Sequence, residues 1–197
     1  MRLSIFLSAW LLCSPGLVQA QPTEIDVSKC APGIDRETIS VLTQELSGGE
    51  MFALTPFGGE ALPYANRMDA TAVLQNTANQ PEQGWLVGVM QVHTKTIEKE
   101  GLKPEEALDP CTNLRLAAKE LKACFKTKTV NQADEKLKPL LRCFFSSRMP
   151  KDAIPERIQA VMDRVKPTVP ALSSLMKAAP EAPLVFSVQN HEQPLIF

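Results

Sequence analysis

The chain has 197 residues, a formal net charge of −1 and 16 prolines. That length fits one domain with tails, and the prolines concentrate after residue 166, which predicts a tail there. With 21 basic against 22 acidic residues no basic surface dominates, so the composition argues against a nucleic-acid partner.

Residues 1–20 have the features of a cleavable signal peptide. Arg2 supplies a basic start, an apolar run extends from Leu3 to Cys13, and the small residue Ala20 ends a cleavage site. The apolar run is too short to span a bilayer. We therefore expect an exported, periplasmic protein with no membrane span once the signal peptide is removed.

Four cysteines remain after the signal peptide: Cys30, Cys111, Cys124 and Cys143. An even number in an exported protein predicts disulfides, and three pairings are possible. Cys124 and Cys143 lie near the facing ends of two successive predicted helices, which favours that pair and leaves Cys30–Cys111 as the second. A metal site is the competing interpretation, but no CxxC spacing is present. We expect no metal and no cofactor.

The rest of the chain divides into three segments: a polar leader over residues 21–33, a domain over residues 34–166, and a Pro-rich tail over residues 167–197. The first helix is predicted from about Asp35, a typical N-cap residue, to Leu46. It ends at Gly48, since glycine tolerates the positive φ of a helix end. Residues 47–67 are rich in Pro and Gly and predict an irregular loop.

Apolar residues at helical spacing predict five further helices. They lie at about residues 69–79, 94–100, 112–126, 133–146 and 154–166. The apolar stretch Gly84–His93 is either a strand or the buried start of the next helix. One helical turn is placed near residues 172–177, and the apolar ends of the tail favour docking onto another surface. The fold class is mainly α with at most a small β element.

Four segments, in this order, carry a family resemblance: CAPG from Cys30, SGGEMFAL from Ser47, GVMQVH from Gly88, and LDPCTNLRLAAKELKACF from Leu108. Over residues 30–166 the chain resembles the small lytic transglycosylases of type IV secretion systems. The resemblance implies a lysozyme-like (soluble lytic transglycosylase, SLT) helical domain stapled by disulfides. It also implies peptidoglycan glycan strands, and envelope components of a secretion system, as partners.

In that family a single Glu before Ser-Gly-Gly protonates the glycosidic oxygen as a general acid. The muramic acid 6-hydroxyl then attacks, and the MurNAc–GlcNAc bond yields 1,6-anhydro products. Here Leu46 occupies the place of the acid, and leucine cannot donate a proton. Glu45, one residue earlier, is the candidate replacement, and Glu50 and Glu60 in the following loop are the remaining acids near the expected cleft.

Further site residues follow from the resemblance, each with an ordinary structural alternative. Trp85 either stacks on a sugar or fills the core, and His93 is either a second proton carrier or a polar rim residue. Arg148, where the family has Asn, either binds a peptide-stem carboxylate or is a solvated surface residue. The implied substrate-binding set is Gln91, Trp85, Ser47, His93 and Arg148.

Two functions therefore remain open. The first is a peptidoglycan-binding protein of a bacterial envelope secretion or conjugation system that cleaves glycan strands. The alternative is a catalytically inactive relative that acts as a peptidoglycan-binding or assembly module. The departures at Leu46, at Phe144 and Phe145 in place of the family's Tyr pair, and at Arg148 favour the second function. The retained residues Gln91 and Trp85, with the adjacent Glu45, keep the first open.

Overall fold

The structure is a computed structural model that describes residues 23–77, 84–126, 133–165 and 184–186. Its helices are α1 Val27–Cys30, α2 Arg36–Ser47, α3 Arg67–Thr77, α4 Thr94–Lys99, α5 Pro110–Lys126, α6 Ala133–Phe145 and α7 Ile154–Val165, with a 3₁₀ turn at Pro104–Leu108. Its strands are β1 Thr23–Ile25, β2 Leu54–Pro56, β3 Trp85–Val87, β4 Val92–His93 and β5 Leu184–Phe186. The predicted class, mainly α with a small β element, is confirmed.

The two ends of α2 form as their residues predict. The Asp35 side chain accepts a hydrogen bond from the Thr38 amide at 2.8 Å, which caps the first turn. Gly48 ends the helix at φ 68°, in the left-handed region where a side chain would be strained. The helix therefore begins and ends within one residue of its predicted bounds.

The stretch from Gly84 to His93 is a hairpin, not the start of a helix. Strand β3 pairs antiparallel with β2 on one side and β4 on the other. Gly88 at φ 75° and Gln91 at φ 50° begin and end the turn between β3 and β4.

Strand β2 lies inside residues 47–67, so the prediction of a wholly irregular loop there was wrong. Its pairing partner lies about 30 residues further along the chain, beyond the reach of local pattern.

The leader is more ordered than its polar composition predicted. Strand β1 and helix α1 form within it, and Ile25 and Val27 are buried. Strand β1 pairs antiparallel with β5, so one apolar segment of the tail docks onto the leader. The signal peptide and the helical turn predicted at residues 172–177 lie outside the described residues.

Helix α5 runs through the core and carries both disulfides. Cys30–Cys111 joins α1 to α5, and Cys124–Cys143 joins α5 to α6, as the favoured pairing predicted. Phe144 and Phe145 are both buried, with ring centroids 5.8 Å apart, so this aromatic pair belongs to the core. Among the described helices none is long and apolar enough to cross a membrane.

Candidate functional site

A cavity of about 280 Å³ opens beside the C-terminal end of α2. The end of α2, the loop after β2, the β3–β4 turn and the region from Arg148 into α7 all contribute to its lining. The apolar part of the lining includes Leu46 and Leu86. The polar part consists of Glu45, Thr55, Glu60, Gln91, Arg148 and Arg157.

Leu46 lines the cavity at the position that the resemblance assigns to the general acid. An aliphatic side chain carries no proton to donate, so this position supplies only apolar surface. The acidic lining is provided instead by its neighbour Glu45 and by Glu60, which lies on the exposed loop after β2.

Glu45 is buried and faces two arginines of α7. Its Oε2 lies 3.3 Å from Arg157 Nη1, and its Oε1 lies 2.8 Å from Arg164 Nε. Arg157 Nη1 also donates to the Glu45 backbone carbonyl at 2.8 Å. The Arg164 contact is close but poorly aligned, since Oε1 accepts no hydrogen bond from the described residues. These ion pairs require the carboxylate form, whereas a general acid must hold a proton.

Gln91 lines the cavity and has a buried acceptor that no described residue satisfies. Its Nε2 donates to the carbonyls of Gly88 at 2.8 Å and Ala53 at 3.3 Å, which fixes the amide. Its Oε1 is buried and has no hydrogen-bond partner among the described residues, and the same holds for Thr55 Oγ1. Buried polar atoms are nearly always paired in folded proteins, and both of these unpaired atoms belong to residues that line the same cavity.

The turn that carries Gln91 is held in place by Asn113. Asn113 Oδ1 accepts from the Met90 amide at 2.7 Å. Its Nδ2 donates to the carbonyls of Val87 at 2.7 Å and Ala107 at 2.9 Å. A Cβ at Gly88 would lie 2.5 Å from Asn113 Nδ2, so the turn needs glycine there. Asn113 therefore positions the cavity wall and is itself fully occupied by the protein.

Arg148 lines the cavity, but its hydrogen bonds go to the protein. It donates to the carbonyls of Met90 at 3.1 Å and Phe144 at 2.9 Å, and it forms an ion pair with Glu120. The guanidinium lies 3.7 Å above the Phe144 ring. Burial lowers the pKa of Arg148, and Glu120 opposes that effect. Arg148 thus joins the turn to α5 and α6, and its contact with substrate stays a prediction.

Ser47, His93 and Trp85 lie outside this cavity lining. Ser47 Oγ donates to the Val89 carbonyl at 2.8 Å and so ties α2 to the β3–β4 turn. His93 Nδ1 caps α4 by accepting from the Lys95 amide at 3.1 Å, and burial is the main cause of its lowered pKa. Trp85 is half-buried, and its indole N–H is buried without a hydrogen-bond partner among the described residues. Substrate contact by these three residues also remains a prediction.

Two polar residues of the lining, Thr55 and Arg157, were not anticipated from the sequence. Thr55 belongs to strand β2, which was predicted as loop. Nothing in the sequence pattern therefore indicated that its side chain faces inward. Arg157 lies on a correctly predicted helix, but its partner Glu45 is 112 residues away in sequence. Only the packing of α7 against α2 brings the two together. No group of three or more His, Cys, Asp or Glu side chains suited to a metal occurs within the described ranges.

Curated relatives agree with the motifs. The chain is 24% identical over 178 residues to the type IV secretion system protein virB1 of Brucella suis, a match that covers 85% of this chain and 72% of the relative. The chain is related to virB1 proteins of type IV secretion systems. The virB1 protein of Brucella abortus is 25% identical over 135 residues, and that of Agrobacterium fabrum is 31% identical over 119 residues.

These two further matches span about half of each relative, 54% and 48% of its length, and 67% and 59% of this chain. No family model and no solved structure matches the chain. The resemblance to secretion-system proteins that the motifs indicated is confirmed.

Proposed function

We propose that this chain is a periplasmic component of a type IV secretion system that binds glycan strands of peptidoglycan in the cavity beside α2. The names of its virB1 relatives support the association with secretion. The order of the four motifs supports the glycan as ligand. Two disulfides are in keeping with an oxidising compartment outside the cytoplasm.

The unpaired atoms Gln91 Oε1 and Thr55 Oγ1 carry this proposal. A buried acceptor without a partner costs about 1–3 kcal/mol, and a ligand that supplies the missing donor regains that free energy. The amide N–H and hydroxyl groups of an N-acetylated glycan supply such donors, and the Thr55 hydroxyl can donate to a sugar oxygen in return. Leu46 and Leu86 offer apolar surface to the sugar ring.

Cleavage of the strand is the second candidate function, and the placement of Glu45 on the same cavity favours it. Catalysis requires Glu45 to leave its arginines and take up a proton. Leu46 and the two ion pairs weigh against that step, so we place binding ahead of cleavage.

The test is release of muropeptides from purified peptidoglycan, read by mass spectrometry, with pull-down on insoluble peptidoglycan in parallel. We expect the wild-type chain to bind without releasing anhydro-muropeptides. Leu46→Glu places a carboxyl on the cavity lining that includes Gln91 and is expected to release them, whereas the matched Leu46→Gln is not. The wild type and both variants should sediment with the glycan.

Three results would change this view. Anhydro products from the wild type that disappear in Glu45→Gln would establish cleavage with a relocated acid. Binding without products in any variant would leave a binding function alone. No sedimentation of the wild type with peptidoglycan would contradict the proposed function itself.

A further inference from the structure

We infer that Arg157 recognises an anionic group, so that the cavity selects glycan strands bearing free carboxylates over neutral ones. This inference rests on the proposed function and names its substrate class. The anionic group is a carboxylate, because a guanidinium presents paired N–H donors that match the two oxygens of a carboxylate.

The two arginines that line the cavity differ in what they leave available. The side chain of Arg148 is 0% exposed and is engaged by the carbonyls of Met90 and Phe144 and by Glu120. The side chain of Arg157 is 45% exposed, and its described contacts with Glu45 run through Nη1. Arg157 can therefore turn its Nε and Nη2 donors toward a ligand while Nη1 stays on the Glu45 backbone carbonyl, whereas the donors of Arg148 are already held by the protein.

The ion pairs of Glu45 allow this exchange. Arg164 lies closer to the carboxylate than Arg157 does, at 2.8 Å against 3.3 Å, and forms an ion pair with the other oxygen. A ligand carboxylate that competes with Oε2 for Arg157 leaves Arg164 in place to compensate the charge of Glu45, and Nη1 can keep its hydrogen bond to the Glu45 backbone carbonyl. Removing the only partner of a buried charge is costly, and the second arginine avoids that cost.

Other charges of the lining restrict where an anion can go. Glu45 and Glu60 repel a carboxylate, and the charge of Arg148 is already balanced by Glu120. The position next to Arg157 is thus the favourable one, and the unpaired Gln91 Oε1 and Thr55 Oγ1 belong to the same lining. Together they describe a site for a glycan whose amide and hydroxyl groups meet Gln91 and Thr55 while its carboxylate meets Arg157.

A carboxylate on peptidoglycan comes from one of two sources, which three ligands distinguish. The first is a strand fragment with its stem peptides, which end in carboxylates. The second is a stem-free strand made with an amidase, in which the lactyl carboxylate of muramic acid is free. The third is the stem-free strand after its carboxylates have been converted to methylamides. Binding of each to the mature chain is measured by calorimetry at low and at raised ionic strength.

We expect the wild type to bind a carboxylate-bearing strand about tenfold more tightly than the methylamide strand. Raised ionic strength should weaken binding of the carboxylate-bearing strand and leave binding of the methylamide strand unchanged. Tighter binding of the stem-bearing strand assigns the stem carboxylate, and tighter binding of the stem-free strand assigns the lactyl carboxylate. Either order supports the inference.

Arg164→Gln is the matched control for Arg157→Gln, because both remove one partner of Glu45 and only Arg157 lines the cavity. Arg157→Gln should lose the tenfold preference and keep the affinity for the methylamide strand, and Arg157→Lys should restore part of it. Arg164→Gln should change no affinity more than about twofold. Melting curves of the variants check that each is folded.

Two outcomes overturn the inference while leaving glycan binding intact. One is equal affinity of the wild type for all three strands, and the other is an equal loss in the two glutamine variants. If the wild type binds none of the strands, the proposed function fails, and the inference fails with it.

Discussion

Glu45 and Leu46 are neighbours on α2, and their difference decides what the cavity can do. Leu46 supplies no proton donor at the position that the resemblance assigns to the general acid. Glu45 retains a carboxylate nearby but shares it with Arg157 and Arg164. A carboxylate at the C-terminal end of a helix is disfavoured by the helix dipole, and the two arginines offset that cost. The three residues act as a structural unit, which is why we place binding ahead of cleavage.

His93 gives a pH dependence of stability. Its pKa lies below the ordinary 6.5, chiefly because of burial, with Lys95 and Arg148 adding to the effect and Glu120 and Glu98 opposing it. The neutral ring also caps α4 through Nδ1. The unfolded chain therefore takes up a proton first as the pH falls below about 6.5, so stability declines from there toward the lower folded pKa. We expect the melting temperature to fall over that window.

His93→Asn tests this dependence, because asparagine retains a capping acceptor and does not titrate. The fall in melting temperature between about pH 7 and pH 5 should be smaller in the variant than in the wild type. An equal decrease in melting temperature in the wild type and the variant would show that groups other than His93 cause the loss of stability at low pH. Similar melting temperatures near pH 8 would show that the cap itself is intact.

Asn113 should matter more for stability than its small polar side chain suggests. Asn113→Ala leaves the Met90 amide and the carbonyls of Val87 and Ala107 without their partner in a buried setting. We expect a loss of about 3 kcal/mol or more in the free energy of unfolding, measured by urea titration. The exposed cap of α3 is the control, because Asn66→Ala should cost only about 1 kcal/mol. Equal costs would contradict the assigned role.

At the scale of elements, α2 positions the cavity by where it stops. Gly48 in the left-handed conformation turns the chain away directly after Ser47, and Ser47 Oγ binds the β3–β4 turn that carries Gln91. The helix end and the turn are thereby fixed to each other. A ligand in the cavity meets two walls whose separation is set by this contact.

Loss of the N-cap of α2 measures how far this helix depends on local signals. Asp35 binds both the amide and the hydroxyl of Thr38, at 2.8 and 2.7 Å. Asp35→Ala should lower the free energy of unfolding by about 1 kcal/mol, and Asp35→Asn by much less, because asparagine is an equally good cap. Urea unfolding followed by circular dichroism is the measurement. If Asp35→Asn lowered the free energy of unfolding as much as Asp35→Ala does, the negative charge of Asp35, and not its hydrogen bond to Thr38, would be the stabilising factor.

Elements that depend on neighbouring residues could be predicted from the sequence, and elements that depend on distant partners could not. Helix bounds followed from apolar spacing, Asp35 and Gly48, since each depends on residues within a few positions. Strands β1, β2 and β5 were missed because each is three residues long and is defined by a distant partner. At the site, the lining by Glu45, Leu46 and Gln91 agrees with motif spacing. The pairing of Glu45 with Arg157 and Arg164 of α7 depends on the tertiary fold, and no sequence motif predicts it.

At the scale of the molecule, the two disulfides close separate parts of the chain. Cys30–Cys111 closes a loop that contains α2, the three-stranded sheet and the cavity residues up to Gln91. Cys124–Cys143 closes a loop that contains only the α5–α6 connection and most of α6. The loops do not overlap in sequence, so their effects on the unfolded chain are independent.

Loop length predicts which disulfide stabilises the fold more. The sequence separations are 81 and 19 residues. Chain-entropy arguments assign about 4.5 kcal/mol to the long loop and about 3.2 kcal/mol to the short one, a difference of about 1.3 kcal/mol. Replacing each pair with alanine and measuring urea unfolding should give losses in that order, because alanine suits the buried positions of Cys30 and Cys124. The dependence of the free energy of unfolding on urea concentration distinguishes an entropic effect on the unfolded chain from lost packing in the folded state.

Opening the long loop expands the unfolded chain more than opening the short one. The variant without Cys30–Cys111 should therefore show the larger rise in this slope. A larger loss from the short loop, with unchanged slopes, would instead assign the stabilisation to packing between α5 and α6.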